Sequence, residues 1–308
     1  MSTTLHVFDV GQGSMVLIVM DDGTTLLCDC NVTADNEDRV MTKLSQIMSR
    51  PWIDYFLNTH RDADHLRGLN TIHSAYPIGA VVDNGRSSGS PECAEYEGYM
   101  RLRRSVRSAV LPTRWTEIRG DTRLRGLHGA NPAGPADCNR HCVVLKVESV
   151  AGGCSVLLGG DCDAVVWRDQ IMPSFGHTLS SSVLIAGHHG GLDSFDARTP
   201  FARALDVRTD RYVEHLRAML PYVTVISVGN NNYGHPDPEA LAYYEQFTLG
   251  APLGDPTRVW TTQARGHMRV DLYPSGAWWI TSEASGLLPV RRRLAAPTSV
   301  TAPAFSSW

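Results

Sequence analysis

An α/β protein is the fold class this sequence predicts, its two β-rich halves flanked by helices being compatible with a sandwich. Three observations predict it. Short apolar runs separated by Gly and Asp turns fill residues 5–28 and return at 258–281. Helical periodicities interrupt the strands near 36–48, 66–74, 208–219 and from Pro238. The 308 residues are 43% apolar and 19% charged, a globular composition with enough apolar surface for a sizeable core. No repeat of fixed period is present.

Each element follows in order. Leu5–Val10, Met15–Met20 and Thr24–Cys28 alternate around Gly11-Gln12-Gly13 and Asp21-Asp22-Gly23, which reads as a hairpin meander. Between Asn36 and Met48, Val40, Leu44 and Ile47 share one helical face, and Pro51 closes the segment. Ile53–Leu57 is a buried strand, followed by a helix near Leu66–Ser74 and a strand at Ile78–Val82. Residues 84 to 120 read as an insertion that begins with Gly, Ser and Pro. A basic helix follows there, carrying Arg101, Arg103, Arg104 and Arg107. Strands resume at Cys142–Val147, Ser155–Leu158, Val183–Ala186 and Val223–Val228, with helices after Asp163, at Arg208–Met219 and from Pro238. Arg258–Thr262, His267–Leu272 and Ala277–Thr281 close the domain, taken as 1–287. A flexible tail, 288–308, carries Arg291-Arg292-Arg293.

Composition excludes several classes. No apolar run approaches the roughly 18 residues of a spanning helix, and the first residues show no basic region followed by an apolar stretch and a small-residue cleavage site, so no secretory signal is expected. The expectation is a cytoplasmic protein without membrane contact. Seven cysteines lack a zinc-ribbon spacing and read as reduced core thiols. A net charge of −4 excludes a globally basic nucleic-acid binder but not a basic groove.

The chemistry concentrates at strand ends. Ile53–Leu57 runs into Thr59-His60-Arg61-Asp62-Ala63-Asp64-His65, two imidazoles and two carboxylates within six residues. Zinc and manganese both suit such donors. Consecutive ligands in so tight a loop point in different directions, so a metal pair about 3.5–4 Å apart shares them better than one ion. Leu157–Gly160 ends in Asp161, placed to bridge two metals. Val183–Ala186 ends in Gly187-His188-His189-Gly190-Gly191, which offers one ligand and one acid or supporting group. Val225–Val228 leads to Gly229-Asn230-Asn231-Asn232-Tyr233-Gly234-His235-Pro236, with donors and a further histidine.

The run THRDADH resembles the signature of the metallo-β-lactamase superfamily, in the version with Asp at the third ligand position. FDVGQGSMVLI, LLCDCN, NRHCVVL, LLGGDCD, AGHHGG and NYGHPDPEAL are similar, in order over about residues 5–282, to blocks of the hydrolase domain of ComEC competence proteins. More distantly the chain is similar to phosphorylcholine esterases. The resemblance implies an αββα sandwich of two mixed β-sheets flanked by helices. It implies that His60 and Asp62 hold one divalent metal ion, Asp64 and His65 a second, and Asp161 bridges them. Of the adjacent histidines, His189 in preference to His188 completes the second site. Asp29 would support the metal loop. His188 and His235 would face substrate as proton donors, beside Asn232 and Tyr233. Where the superfamily has a further histidine, and ComEC-like chains often have Asn-x-x-Ser, this chain has Asn139-Arg140-His141-Cys142. His141 as ligand, or as a core or solvent histidine, stays open. Gly191 and Asp237 replace a Ser and a His that are frequent in the family, both on the substrate side.

The expected function is a two-metal hydrolase, Zn²⁺- or Mn²⁺-dependent, in which water acidified between the ions attacks a phosphodiester. Asp62 or Asp64 would be ligand and orienter, and His188 or His235 leaving-group acid. Nucleic acid is the substrate the resemblance implies, with the arginine stretch as a backbone track. A phosphorylcholine-ester or small-molecule esterase is the alternative enzyme. A metal-containing binding module without turnover is the alternative of another class, and the tail or the 84–120 segment could contact a protein partner.

Overall fold

The structure, a computed structural model, describes residues 1–85, 93–128, 138–197, 211–250 and 257–284. The tail at 288–308 and the start of the helix expected from Arg208 lie outside these residues. The short apolar runs build two sheets. The first comprises β1 (Thr3–Val7), β2 (Val16–Val19), β3 (Thr25–Cys28), β5 (Ile53–Leu57), β7 (Ile78–Asp83), β8 (Arg107–Val110), β16 (Met268–Leu272) and β17 (Trp278–Ser282), ordered β17-β16-β1-β2-β3-β5-β7-β8. The second comprises β9 (Arg114–Arg119), β10 (Thr122–Leu127), β11 (Val144–Ser149), β12 (Ser155–Leu158), β13 (Val183–Ile185), β14 (Val223–Ile226) and β15 (Val259–Thr261), ordered β15-β14-β13-β12-β11-β10-β9. A short pair, β4 (Cys30–Asn31) with β6 (Leu66–Arg67), sits under the metal loop.

Both sheets are mixed. From β3 through β8, and from β12 through β15, neighbours run parallel, and the remaining pairs are antiparallel. Parallel neighbours need crossovers, supplied in the first sheet by α1 (Glu37–Ile47), α2 (Leu69–Ala75) and α3 (Ala94–Ser105). Alternate residues on each strand then serve different layers. Leu5, Val7, Val16 and Ile18 meet Leu145, Val147, Val156 and Val183 between the sheets. Phe8, Leu17, Leu27 and Phe56 pack outward under Val40, Leu44 and Tyr99, while Leu157, Leu184 and Ile226 pack under Trp167, Leu216 and Tyr244. The result is helices, sheet, sheet, helices, the sandwich that the sequence predicts. No helix among the described residues is long and apolar enough to cross a membrane. Cys28, Cys30, Cys142, Cys154 and Cys162 are buried free thiols, as expected.

The structure differs from the sequence reading at 84–120. Its described residues build on both sheets: α3 starts at Ala94, β8 extends the first sheet and β9 the second. All four β8 residues are exposed, so no apolar alternation announces the strand. The arginine track also dissolves in part. Arg103 Nε donates to Asp83 Oδ2 at 2.7 Å, and Arg101 lies 3.8 Å from Glu97. Two of the four cations are thus engaged by carboxylates. The helix expected at Leu66 begins at Leu69, because Leu66 and Arg67 pair with β4 first.

Candidate metal centre

The carboxyl ends of β3, β5, β12, β13 and β14 meet at one rim, the place where open α/β sheets bind ligands. Asp29 follows β3, His60–His65 follow β5, Asp161 follows β12, His188-His189 follow β13 and the 229–236 loop follows β14. The loops lie far apart along the chain, up to 124 residues between His65 and His189, yet their side-chain nitrogens and oxygens converge to within 4 Å of one another. His65 Nε2 lies 3.3 Å from Asp161 Oδ1 and 3.3 Å from His189 Nε2. His189 Nε2 lies 3.3 Å from Asp64 Oδ2 and 3.6 Å from Asp161 Oδ2, and His60 Nε2 lies 3.7 Å from Asp161 Oδ2. Two interlocking triads result, His60/His65/Asp161 and Asp64/His65/His189.

Each imidazole is oriented from behind. His65 Nδ1 donates to Asp29 Oδ2 at 2.7 Å, and His189 Nδ1 donates to the Ser227 carbonyl at 2.9 Å. Thr59 Oγ1 donates to Asp29 Oδ2 at 2.7 Å, which leaves its lone pair to accept from His60 Nδ1 at 3.0 Å. With Nδ1 protonated in all three rings, the neutral imidazoles turn Nε2 lone pairs toward one another. Two such lone pairs 3.3 Å apart, on His65 and His189, repel unless a cation or a proton lies between them. His60 Nε2 is buried and has no hydrogen-bond partner. The donor set therefore fits divalent metal ions: buried, imidazole and carboxylate, and held by partners that fix the ligating atom.

The electrostatics agree. Burial raises the Asp161 carboxyl, but the cationic forms of His65, His189 and His188 outweigh it and hold Asp161 well below the usual carboxylate range. Burial and the neighbouring His65 lower the His60 imidazole, yet contacts with Asp62, Cys142 and Asp161 prevail and raise it to about 10. His65 and His189 are likewise raised, against burial, by Asp161 with Asp29 and Asp64 respectively. These shifts favour the protonated imidazoles, and a metal ion would compete with protons for the same nitrogens.

Local backbone strain marks the same loops. Asp29, His188 and His189 have φ of 58°, 50° and 51°, a region that costs non-glycine residues about 1–3 kcal/mol each. In exchange, Asp29 turns behind the cage, and the His188-His189 turn aims both rings at the rim.

The remaining expected residues fall into place differently. Asp62 lies 3.4 Å from His60 Nε2, with its side chain 38% exposed, and belongs to neither triad. His141 belongs to neither triad either; its carbonyl accepts from Asn84 Nδ2. His188 Nε2 is 3.9 Å from Asp161 Oδ2, and its ring meets that of His235 edge-on at 5.3 Å. His235 is lowered by burial and by His188 and His189. Asn232 is exposed, and Tyr233 is 75% exposed at the cleft mouth. Together Gln12, Asp62, Asp64, Arg67, Asp161, His188, His189, Tyr233 and His235 line a cleft of about 370 Å³. The sequence reading missed Gln12, whose Nε2 donates to His235 Nδ1 at 3.3 Å. It also missed Arg67, the one Lys or Arg among the described residues lining that cleft. Thr59, Gln12 and Arg67 all lie inside or beside the quoted motifs, but their contacts are across the fold.

No family model matches the chain. Competence protein ComA of Neisseria gonorrhoeae is 30% identical over 184 residues, covering 60% of this chain and 23% of that protein. Recombination protein 2 of Haemophilus influenzae is 28% identical over 227 residues, 73% of this chain and 24% of its own length. The chain thus spans about a quarter of the length of the curated relatives it matches. Among solved structures, the metallo-beta-lactamase fold protein YhfI from Bacillus subtilis superposes with a TM-score of 0.53 at 12% identity, over 87% of this chain and 99% of that one.

Proposed function

We propose that this metallo-β-lactamase-fold chain, with its resemblance to the hydrolase domain of ComEC competence proteins, is a metal-dependent hydrolase whose substrate is a nucleic-acid phosphodiester. One observation carries the metal reading: His65 Nε2 and His189 Nε2 face each other at 3.3 Å, with the buried Asp161 and the half-buried Asp64 beside them. Two divalent cations, zinc or manganese, would supply Lewis-acid polarisation of a phosphoryl oxygen and a water of lowered pKa. His60, His65, His189, Asp64 and Asp161 would hold them, with Asp62 at the open side. Three carboxylates against two divalent ions leave a positive centre, suited to an anionic ester rather than a neutral one. Gln12 donates to His235 Nδ1, so the neutral ring keeps its proton on Nε2 as a donor for substrate oxygen. His188, between Asp161 and His235, is the candidate for protonating the leaving oxygen. The names of the two curated relatives, a competence and a recombination protein, favour nucleic acid over a small phosphoester.

The test pairs metal content with cleavage. Purified protein and a His60→Ala/Asp64→Ala variant are assayed for bound metal and for cutting of labelled single- and double-stranded DNA with added Zn²⁺ or Mn²⁺. About two metals per chain, with metal and cleavage both lost in the variant, is the expected result. Metal without cleavage would refute the nucleic-acid assignment, and absence of metal would refute the whole reading.

A further inference from the structure

A lone exposed aromatic side chain is ordinary on a protein surface, so Tyr233 stands out for its place beside the cleft and not for its exposure. Tyr233 is 75% exposed, and its ring tilts over His235 at 5.8 Å on the cleft wall. The loop that presents it is not slack. Asn231 Oδ1 accepts from the backbone N–H of Tyr233 at 3.0 Å and of His235 at 3.1 Å, while Asn231 Nδ2 donates to the carbonyls of Gly229 and His235 at 2.8 and 2.7 Å. Gln263 Nε2 ties Asn230 Oδ1 at 2.8 Å. A braced loop thus holds an aromatic face outward, at a low entropic cost for whatever lands on it. From Tyr233 the rings step inward through His235 to His188, which reaches Asp161 at 3.9 Å. The rest of the cleft is carboxylates, imidazoles, Gln12, Arg67 and the small Ala63, so Tyr233 is its one large side chain with a broad apolar face among the described residues.

We infer that Tyr233 is a stacking platform for a nucleobase, and that it sets preference for phosphodiesters carrying a planar base next to the phosphate held at the centre. The inference rests on the phosphodiester reading above and adds to it a base-recognition point. Stacking of one base on an aromatic side chain tolerates any base identity, so the platform selects nucleotides as a class rather than a sequence.

The test compares two labelled oligomers of equal length and equal charge, oligo-dT and its abasic counterpart, by fluorescence anisotropy with the protein as purified. Cleavage of both is followed in parallel. Expected is binding of oligo-dT roughly ten-fold tighter than the abasic chain, a ratio that falls to near one in Tyr233→Ala and is kept in Tyr233→Phe and Tyr233→Trp. Equal binding of the two oligomers by the unmodified protein, with both cleaved, would overturn the platform and leave the phosphodiesterase reading standing. A ratio retained in Tyr233→Ala would overturn it as well. Binding of neither oligomer and cleavage of neither would remove both readings together.

Discussion

Asp29 shows how one carboxylate can serve two ligands. Its Oδ2 accepts from His65 Nδ1 and from Thr59 Oγ1, both at 2.7 Å, and Thr59 in turn accepts from His60. Its Oδ1 accepts from the Thr59 backbone N–H at 2.8 Å. Replacing the carboxylate by an amide of the same shape keeps the volume but turns one acceptor into a donor. Asp29→Asn is expected to weaken metal binding about 10- to 100-fold, the usual effect of losing a group that orients a ligand. Competition with a chromophoric chelator measures it, and unchanged affinity would show that Asp29 only braces the loop. The motif announces His60 and Asp64 through residue type and spacing. It says nothing of the tautomers, which depend on Asp29, Thr59 and the Ser227 carbonyl arriving from other strands.

At the level of elements, the Gly11-Gln12-Gly13 turn links the first hairpin to the metal loop. Ser14 N–H donates to the Asp64 carbonyl at 3.1 Å, and Ser227 Oγ donates to the Gly13 carbonyl at 2.8 Å. Gly13 sits at φ 143°, and a Cβ there would lie 2.3 Å from Asn31 Nδ2 and 2.7 Å from the Asp64 carbonyl oxygen. Gly13→Ala is therefore expected to destabilise by about 1–3 kcal/mol, the usual cost of overpacking, and to displace Asp64. Urea unfolding and metal titration should both move. A shift in stability with metal affinity intact would show that the turn and the metal loop are uncoupled. Strands that are continuous buried runs, such as β12 and β13, were legible to within a residue or so. Strand β8 was not, because an exposed edge strand carries no burial signal, and β9 alternates exposed with half-buried positions.

For the whole molecule, several histidines are buried away from the metal cage and held neutral. Burial alone lowers His215 to about 3, packed between Trp167 and Tyr212, and burial with neighbouring cations lowers His6 to about 3 and His267 to about 4. The unfolded chain titrates near 6.5, so between that pH and these depressed values the unfolded state binds more protons. Stability from these groups is complete above pH 6.5 and is lost as pH falls toward 3. His215→Phe is expected to flatten the stability–pH curve by up to about 1.4 kcal/mol per pH unit between pH 5.5 and 4, the value of one proton. Denaturant unfolding at several pH values reads this out, and parallel curves would contradict it. Local pattern carried the α/β element order and the candidate His and Asp residues, because both are written in neighbouring positions: short apolar runs between turns, and His and Asp packed where those runs end. It did not determine which atoms meet. The partnership of His65 with His189, the service of Asp29 to two rings, the exposure of Tyr233 and the diversion of Arg103 to Asp83 are contacts between segments far apart in the chain. Only the pairing of β3, β5, β12, β13 and β14 at a common rim fixes them, since a hydrogen bond or ligand set depends on separation in space and not along the chain.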